Sequence, residues 1–155
     1  MRALVQRVSR AAVSVSNKEI ASIGNGLVVF LAIGKSDSMP DVDYLVNKIT
    51  NLRIFSNNDG KFDQSALDRR ADLLVVSQFT LYADTRKGRR PSFTGAAEPV
   101  VANELFQKAI DLFKSFDLNI STGIFQEKMS VEIVNEGPVT LWIDSKDKDI
   151  SRNSA

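Results

Sequence analysis

The sequence contains no cysteine and no histidine among its 155 residues. Without cysteine there is no disulfide framework and no thiolate nucleophile, and without histidine the usual ligands of structural and catalytic zinc are missing as well. Ser-His-Asp triads, Cys-His dyads and imidazole general bases are excluded for the same reason. Any catalysis must therefore use carboxylates, hydroxyls, amides, backbone dipoles or the substrate itself.

The sequence also has little net charge and no long apolar segment. Its 20 Lys and Arg residues nearly balance 19 Asp and Glu residues, so we expect any contact with nucleic acid to be confined to a local patch. No apolar run approaches the ~20 residues that cross a bilayer. The first 15 residues alternate in polarity instead of forming the apolar core of a secretory signal. We expect a cytoplasmic protein with no membrane partner.

A length of 155 residues, 43% of them hydrophobic, is typical of one domain with a single core. Residues 2–15, 18–23 and 27–33 predict three opening strands, the last two joined by a turn at Gly24-Asn25-Gly26. That glycine turn lacks the spacing of a P-loop or of a dinucleotide fingerprint. We therefore expect neither ATP nor NAD, and no cofactor.

Two segments have the apolar spacing of helices. The first covers residues 42–52, with Ser38 or Met39 as a candidate cap and Pro40 in the first turn. Pro99 begins the second. Its predicted apolar stripe comprises Val101, Leu105, Ala109, Leu112 and Phe116.

The other apolar segments predict further strands. They are residues 53–55, 61–62 after the Asn57-Asn58-Asp59-Gly60 turn, 73–83, 120–125, 129–134 and 139–143. Two long helices cannot cover both faces of so much sheet, so we predict a three-layer α/β domain over residues 1–145, with two barrel-like β layers and one helical layer. The alternating charges that follow predict a frayed tail at residues 146–155.

Ser77, Gln78, Phe79 and Thr80 place polar groups inside the apolar segment 73–83. On a regular strand Gln78 and Thr80 would share one face, and Ser77 and Phe79 the other. A buried polar group without a hydrogen bond costs about 1–3 kcal/mol, so these side chains need partners. Either neighbouring loops or a ligand could supply them, and the residues alone leave both open.

The segment Asn135-Glu136-Gly137-Pro138-Val139-Thr140 lies between two apolar segments. Because proline cannot donate to a β ladder, the chain at Pro138 must form an edge, a bulge or a turn, which leaves nearby carbonyl and amide groups free. A plain hairpin is the alternative to a functional loop.

A basic segment follows the polar cluster. Arg86, Lys87, Arg89 and Arg90 lie within five residues, with the flexible Gly88 between them. Phosphate is the natural partner of such a cluster, and a solvated basic loop is the alternative. The position of the loop, directly after unexplained polar residues, favours a functional contact.

Five motifs, in this order along the chain, together resemble the D-aminoacyl-tRNA deacylases. They are QRV at 6–8, NLRIF at 51–55, SQFTL at 77–81, RRPSF at 89–93 and NEGPVT at 135–140. The resemblance implies a β/β/α homodimer with active sites at the subunit interface. It also implies hydrolysis of the ester between a D-amino acid, or glycine, and the 3′-terminal adenosine of tRNA, while L-aminoacyl-tRNA is left intact. The implied partner is the 3′ end of tRNA, with no DNA.

The resemblance further implies roles for particular residues. Ser77, Gln78, Phe79 and Thr80 match residues of the ester-binding end, where backbone amides near Phe79 and Thr80 are suited to hold the carbonyl oxygen. Gly137 and Pro138 match a dipeptide with a cis bond that enters the partner subunit's pocket, binds the substrate amino group and excludes an L side chain. Phe125 and Met129 match adenine contacts, Arg7 matches a support of the Gly-Pro loop, and we assign Arg86, Lys87, Arg89 and Arg90 to the tRNA backbone.

The chain departs from the family pattern at three places. The segment 123–127 lacks the small residues often found after the matching Phe, and Glu136 and Asp63 stand where Asp and Asn, respectively, are common.

An aminoacyl ester is already activated, so orientation and oxyanion stabilisation can supply much of the rate without imidazole. We hypothesise that the terminal 2′-hydroxyl of tRNA activates or positions water and that Thr80 is an orienting hydroxyl or oxyanion partner. A covalent Thr80 intermediate is disfavoured because no evident base lies near it in the sequence. The competing hypotheses are another acyl-tRNA hydrolase and a non-catalytic RNA-binding dimer.

Overall fold

The computed structural model describes residues 1–150. Within them the chain forms eight strands, three α-helices and two short 3-10 helices. The strands are β1 (Arg2–Val15), β2 (Lys18–Ile23), β3 (Gly26–Ala32), β4 (Phe55–Ser56), β5 (Phe62–Gln64), β6 (Asp72–Ser77), β7 (Ile120–Thr122) and β8 (Met129–Asp144). The helices are α1 (Met39–Asn51), α2 (Ala66–Arg69) and α3 (Pro99–Lys114).

Strand β1 is the centre of the main sheet. Its first half pairs antiparallel with β3 and its second half with β2, while β8 pairs antiparallel along its other edge. Strands β6 and β7 extend the sheet beyond β3 in parallel. The sheet curls into a nearly closed barrel, and β4 and β5 form a second, small sheet. The predicted α/β fold with two sheets and two long helices is confirmed, and α2 adds one further turn of helix.

Side chains alternate along the central strands, and this alternation divides the core in two. Val5 of β1 and Val29 of β3 belong to the cluster that packs against α1 and α3. Val8 and Val28, on the opposite face, belong to a second cluster with β6 and the start of β8. Strand β6 contributes alternate residues to both clusters, which fixes its register.

Both long helices begin where the sequence predicts. Ser38 precedes α1 and its backbone N–H donates to the Asp41 carboxylate at 2.9 Å, so this end of the helix is capped. The buried residues of α3 are Leu105, Phe106, Ala109, Ile110 and Phe113. The prediction that Val101 lies on this stripe is wrong, because at 100° per residue Val101 points about 110° away from the centre of the buried face. Its side chain is 46% exposed.

The chain after β8 returns to the N-terminus. Residues Ser145–Asp149 form a 3-10 helix, and the buried Ser145 hydroxyl accepts a 2.6 Å hydrogen bond from the Met1 ammonium and donates one of 2.8 Å to Asp41. The sequence predicts a frayed tail from residue 146, whereas this part of it is helical; residues 151–155 lie outside the described residues. None of the described helices combines the length and apolar character needed to cross a membrane.

Candidate active site

The polar cluster lies where β6 ends, and the strand is shorter than the sequence predicts. β6 stops at Ser77, and residues Phe79–Tyr82 form a 3-10 helix instead of continuing to Ala83. Pairing with β7 ends at Val75 and pairing with β3 at Ser77. The Gln78 N–H makes the last bond of this ladder, to the Leu31 carbonyl at 2.9 Å, and the chain coils after it. Strand alternation therefore does not apply to residues 78–80.

Gln78 and Thr80 nevertheless meet, through a hydrogen bond from the Gln78 amide nitrogen to the Thr80 hydroxyl. Because Thr80 Oγ1 accepts this bond, its own hydrogen is free for another acceptor. The backbone N–H groups of Phe79 and Thr80 have no hydrogen-bond partner among the described residues. These groups form a set of donors at the end of β6.

The 3-10 helix is held by two side chains from other parts of the chain, Asp37 and Arg2. Tyr82 donates its hydroxyl to Asp37 at 3.2 Å, and Arg2 donates to the Leu81 carbonyl at 3.0 Å. The Arg2 guanidinium also lies 4.4 Å from the centre of the Tyr82 ring. Burial and the neighbouring Asp37 carboxylate raise the pKa of Tyr82, which keeps its hydroxyl protonated as a donor. The position of Thr80 is thus fixed by contacts outside the helix itself.

A cavity of about 600 Å³ joins the end of β6 to the start of β8. Ser77, Gln78 and Phe79 line it, as do Phe125 and Met129, so five of the residues assigned from the sequence border the same space. Thr80 does not line the cavity, but its hydroxyl is hydrogen-bonded to Gln78, which does line it. The cavity combines hydrogen-bonding groups with an aromatic ring and a thioether.

Sequence reasoning missed two kinds of residue around this cavity. Phe93 packs edge-to-face on Phe79, with ring centres 5.0 Å apart, and helps to shape the opening. Glu98 and Glu127 place carboxylates in the lining. Phe93 lies in the RRPSF motif and could have been found there, but isolated glutamates on exposed segments have no signal in the sequence.

The segment around Pro138 is a bulge within one continuous strand, so the alternative of a plain hairpin is wrong. Gln6 pairs with Thr140 and Val8 with Asn135, which leaves four residues of β8 opposite Arg7 alone. The Gly137-Pro138 peptide bond is cis, and Gly137 has φ +115, a conformation that favours glycine. Both residues of the dipeptide are exposed.

Arg7 lies behind this bulge. Its guanidinium donates to the Ile54 carbonyl at 2.7 Å and lies 3.4 Å from the Glu136 carboxylate, an ion pair without hydrogen-bond geometry. Only 8% of Arg7 is exposed. A buried cation in these contacts connects the bulge to β1 and to the segment before β4. Gly137 and Pro138 do not line the cavity of their own chain.

The basic segment forms a loop that leaves the 3-10 helix. Asp84 and Ser92 pair through two backbone hydrogen bonds of 2.7 and 2.9 Å and close its base. Arg86 donates two hydrogen bonds to the Asp84 carboxylate, which lower the pKa of Asp84. Lys87, Arg89 and Arg90 form no ion pair with the described residues, so their charges remain available to a partner.

The part of the chain that the structure describes holds no group of three or more Asp and Glu side chains suited to a metal ion.

Comparison with known proteins identifies the family. A family model described as D-Tyr-tRNA(Tyr) deacylase matches residues 4–144. A curated relative from Fervidobacterium nodosum, named D-aminoacyl-tRNA deacylase, is 52% identical over 146 residues, which cover 94% of this chain and 98% of the relative. A relative of the same name from Aquifex aeolicus is 52% identical over 147 residues, covering 95% and 99%.

Solved structures agree with the fold. One described as c-Myc DNA Unwinding Element Binding Protein has a TM-score of 0.88 at 36% identity and covers 93% of this chain and 98% of its own. A probable eukaryotic D-amino acid tRNA deacylase has a TM-score of 0.80 at 20% identity, with 92% and 97% covered, and shows the likeness of fold alone.

The fold and the sequence match define a hydrolase of the tRNA-deacylase class. Within that class, the chain belongs to the D-aminoacyl-tRNA deacylase family. The resemblance inferred from the motifs is therefore confirmed, as is the prediction of an enzyme of this type.

Proposed function

We propose that this protein hydrolyses the ester bond of D-aminoacyl-tRNA, releasing a free D-amino acid and tRNA. The observation that carries the proposal is a single cavity bordered both by Ser77, Gln78 and Phe79 and by Phe125 and Met129. The first group offers hydrogen bonds to an ester, and the second offers an aromatic face and a soft thioether to the terminal adenine.

Ester hydrolysis in this cavity requires stabilisation of negative charge on the carbonyl oxygen. The unpartnered N–H groups of Phe79 and Thr80 are the donors proposed for this task, and the free hydrogen of the Thr80 hydroxyl is a third. Such donors supply rate without a strong base, in accord with a chain that has no histidine. Thr80 acts as an orienting or oxyanion residue, since Gln78 is the only hydrogen-bond partner of its hydroxyl within residues 1–150 and cannot take the hydroxyl proton.

Water activation is assigned to the substrate. The 2′-hydroxyl of the terminal ribose lies beside the ester carbon and positions or activates the attacking water. This assignment places a proton-handling group of the substrate itself beside the ester carbon.

Selectivity for the D configuration is assigned to the Gly137-Pro138 carbonyls of a second copy of the chain. The dipeptide projects from β8 in an exposed bulge and does not line the cavity of its own chain, which leaves it available to a neighbouring cavity. Its carbonyls bind the substrate ammonium, and its main chain occupies the space of an L side chain. A gate of this kind tolerates different D side chains.

A homodimer is supported by apolar surface near these elements. Phe79 is 58% exposed and Trp142 50% exposed, large fractions for aromatic side chains. Among the described strands, β8 pairs only with β1, so its outer edge is also unpartnered. A second copy would cover both features and would complete two cavities at once.

The basic loop is proposed to contact the tRNA backbone through Arg86, Lys87, Arg89 and Arg90. Phosphate contacts carry little sequence information, so many tRNAs would be accepted. A tRNA substrate would place the enzyme in the cytoplasm. Glycine has no side chain for the gate to exclude, so glycyl-tRNA, including glycine mischarged on the tRNA for alanine, is a second proposed substrate.

Hydrolysis of matched D- and L-aminoacyl-tRNA tests this function. We expect rapid release from the D ester, slow release from the L ester, and no effect of a chelator. An N-acetylated D ester should resist hydrolysis because it lacks the ammonium. Equal rates for the two configurations, or cleavage of N-blocked substrate, would identify another acyl-tRNA hydrolase; binding of tRNA without turnover would identify a non-catalytic RNA-binding protein.

A further inference from the structure

A second cavity, of about 530 Å³, adjoins the candidate active site and has a different chemical character. The charged residues that line this space, which we call the basic cleft, are Arg2, Lys35, Arg86, Lys146 and Asp84. Ser36, Tyr82, Thr85 and Thr94, whose side chains carry hydroxyl groups, also line the cleft. Four cations against one carboxylate favour an anionic ligand.

Two of the four cations are already neutralised within the protein. Arg86 is paired with Asp84 at 2.7 Å and Arg2 with Asp144 at 2.9 Å. The nearby Asp37 carboxylate is likewise engaged, by the Met1 ammonium at 2.6 Å. These pairs leave the charge of the cleft to the remaining two cations.

Lys35 and Lys146 are exposed and form no ion pair with any residue from 1 to 150. Their ammonium groups belong to distant parts of the chain, yet the fold brings both to the same cleft. Two uncompensated ammonium groups around one opening are suited to phosphate oxygens, which accept several hydrogen bonds each.

The cleft and the active-site cavity share a rim. Ile33 lines the cavity and the adjacent Gly34 lines the cleft; on the opposite segment Ala96 lines the cavity and Gly95 the cleft. Gly34 and Ala96 are paired across this rim. Consecutive Cα atoms lie only ~3.8 Å apart, so a polymer whose end occupies the cavity can reach the cleft with its neighbouring units.

We propose that the basic cleft binds backbone phosphates of the single-stranded acceptor end of tRNA, next to the terminal nucleoside. The proposal rests on the proposed function, because it requires that nucleoside in the cavity. It goes beyond the family match, since Arg2 and Lys146 lie outside the matched residues 4–144. The cleft adds affinity and a salt dependence without choosing among tRNAs.

The test compares two substrates and two double variants. The first variant is Lys35→Ala with Lys146→Ala; the control, Lys18→Ala with Lys108→Ala, removes the same charge from exposed residues that line neither cavity. The substrates are D-aminoacyl-tRNA and D-aminoacyl-adenosine, which carries the ester without the backbone phosphates. For each protein kcat/KM is measured over a series of salt concentrations.

We expect the cleft variant to match the wild type on D-aminoacyl-adenosine. On D-aminoacyl-tRNA, the slope of log(kcat/KM) against the logarithm of the salt concentration should be shallower by about 1.4, because each of two single-strand phosphate contacts contributes about 0.7. Over a fourfold change of salt concentration, this difference is about sevenfold in kcat/KM. The control should keep the wild-type slope. A D-aminoacyl trinucleotide with the 3′-terminal sequence should show the same loss as tRNA.

Three results would overturn the proposal. They are a cleft variant with the slope of the control, an equal loss on both substrates, and tight binding of inorganic phosphate alone, which would make the cleft a small-anion site. If the wild type hydrolyses neither D ester, the proposed function itself fails. If the wild type is active and the cleft variant has the same salt dependence as the wild type, only the proposal for the cleft fails.

Discussion

Arg7 and Gly137 are in such close contact that a Cβ on Gly137 would lie 3.0 Å from the Arg7 guanidinium. The buried Arg7 cannot easily move away, because it is held by the Ile54 carbonyl. The contact therefore sets how far the Gly-Pro bulge stands out from β1.

Gly137→Ala should disable catalysis with a smaller effect on folding. The new methyl group meets Arg7 and Val139 and must also adopt φ +115, so the bulge will shift. A displacement of about 1 Å at a positioning group can cost about 100-fold in rate, and we expect a loss of that size in kcat/KM.

Gly60→Ala is the matched control. Gly60 also has positive φ, +77, but nothing lies within 4 Å of its would-be Cβ. It should lose about 1 kcal/mol of unfolding free energy and keep its activity. Full activity in Gly137→Ala, measured beside this control, would remove the bulge from the mechanism.

Thr80→Val should lower kcat by about 100- to 1000-fold, the usual cost of one oxyanion donor, while Thr80→Ser should recover most of it. Valine keeps the shape of threonine but has no hydroxyl to accept from Gln78 or to donate to the ester. Single-turnover kinetics measures both variants. Mass-spectrometric detection of an acyl adduct on Thr80 would contradict the orienting role and indicate a nucleophile.

Arg89→Ala combined with Arg90→Ala should flatten the salt dependence of tRNA binding. Loss of two phosphate contacts reduces the slope of the logarithm of the binding constant against the logarithm of the salt concentration by about one to two. Filter binding of uncharged tRNA across a salt series gives the slope. A slope equal to that of the wild type would identify the segment as a solvated loop.

We expect the protein to lose unfolding free energy in acid when the buried Asp41 carboxylate becomes protonated. Burial raises the pKa of Asp41, but hydrogen bonds from Ser145, Ser38 and Lys148 and the Met1 ammonium outweigh it and lower the pKa to about 2. A carboxyl group with a lowered pKa in the folded state contributes stability above its unfolded pKa of 3.8, and this contribution is lost as the pH falls through 2.

Denaturant unfolding at pH 5 and pH 2 measures this effect. The wild type should lose about 2 kcal/mol more between these pH values than Asp41→Asn, which has no carboxyl group to titrate. Asp43→Asn, on the exposed side of the same helix, should behave like the wild type. If the wild type and Asp41→Asn lost equal unfolding free energy between pH 5 and pH 2, the Asp41 carboxylate would make no contribution to stability.

The sequence was sufficient to predict most of the fold because the periodic signals are local. The capped start of α1, Pro99 at the start of α3 and the turn before β5 all depend on neighbouring residues. The end of β6 could not be predicted, because it depends on where β3 and β7 stop pairing. The apolar run beyond Ser77 looks like strand but has no strand beside it.

The candidate site divides in the same way. The residues at 77–80, 125 and 129 carry motifs, and the structure brings them to one cavity or to its edge. Lys35, Lys146 and Glu98 have no motif, since only the tertiary fold places them beside the site. The sequence did not decide whether the chain at Pro138 forms a turn, an edge or a bulge, because proline excludes regular strand pairing but is compatible with all three.

The most direct test of a cross-subunit gate is to mix two inactive variants. Thr80→Val disables the cavity of one chain and Gly137→Ala disables the gate of the other, so a mixed dimer contains one site with both parts intact. After co-refolding at equal amounts, half of the dimers are mixed and about a quarter of wild-type activity should return. If each chain instead used its own Gly-Pro bulge, no mixed dimer would contain an intact site and the mixture would stay inactive.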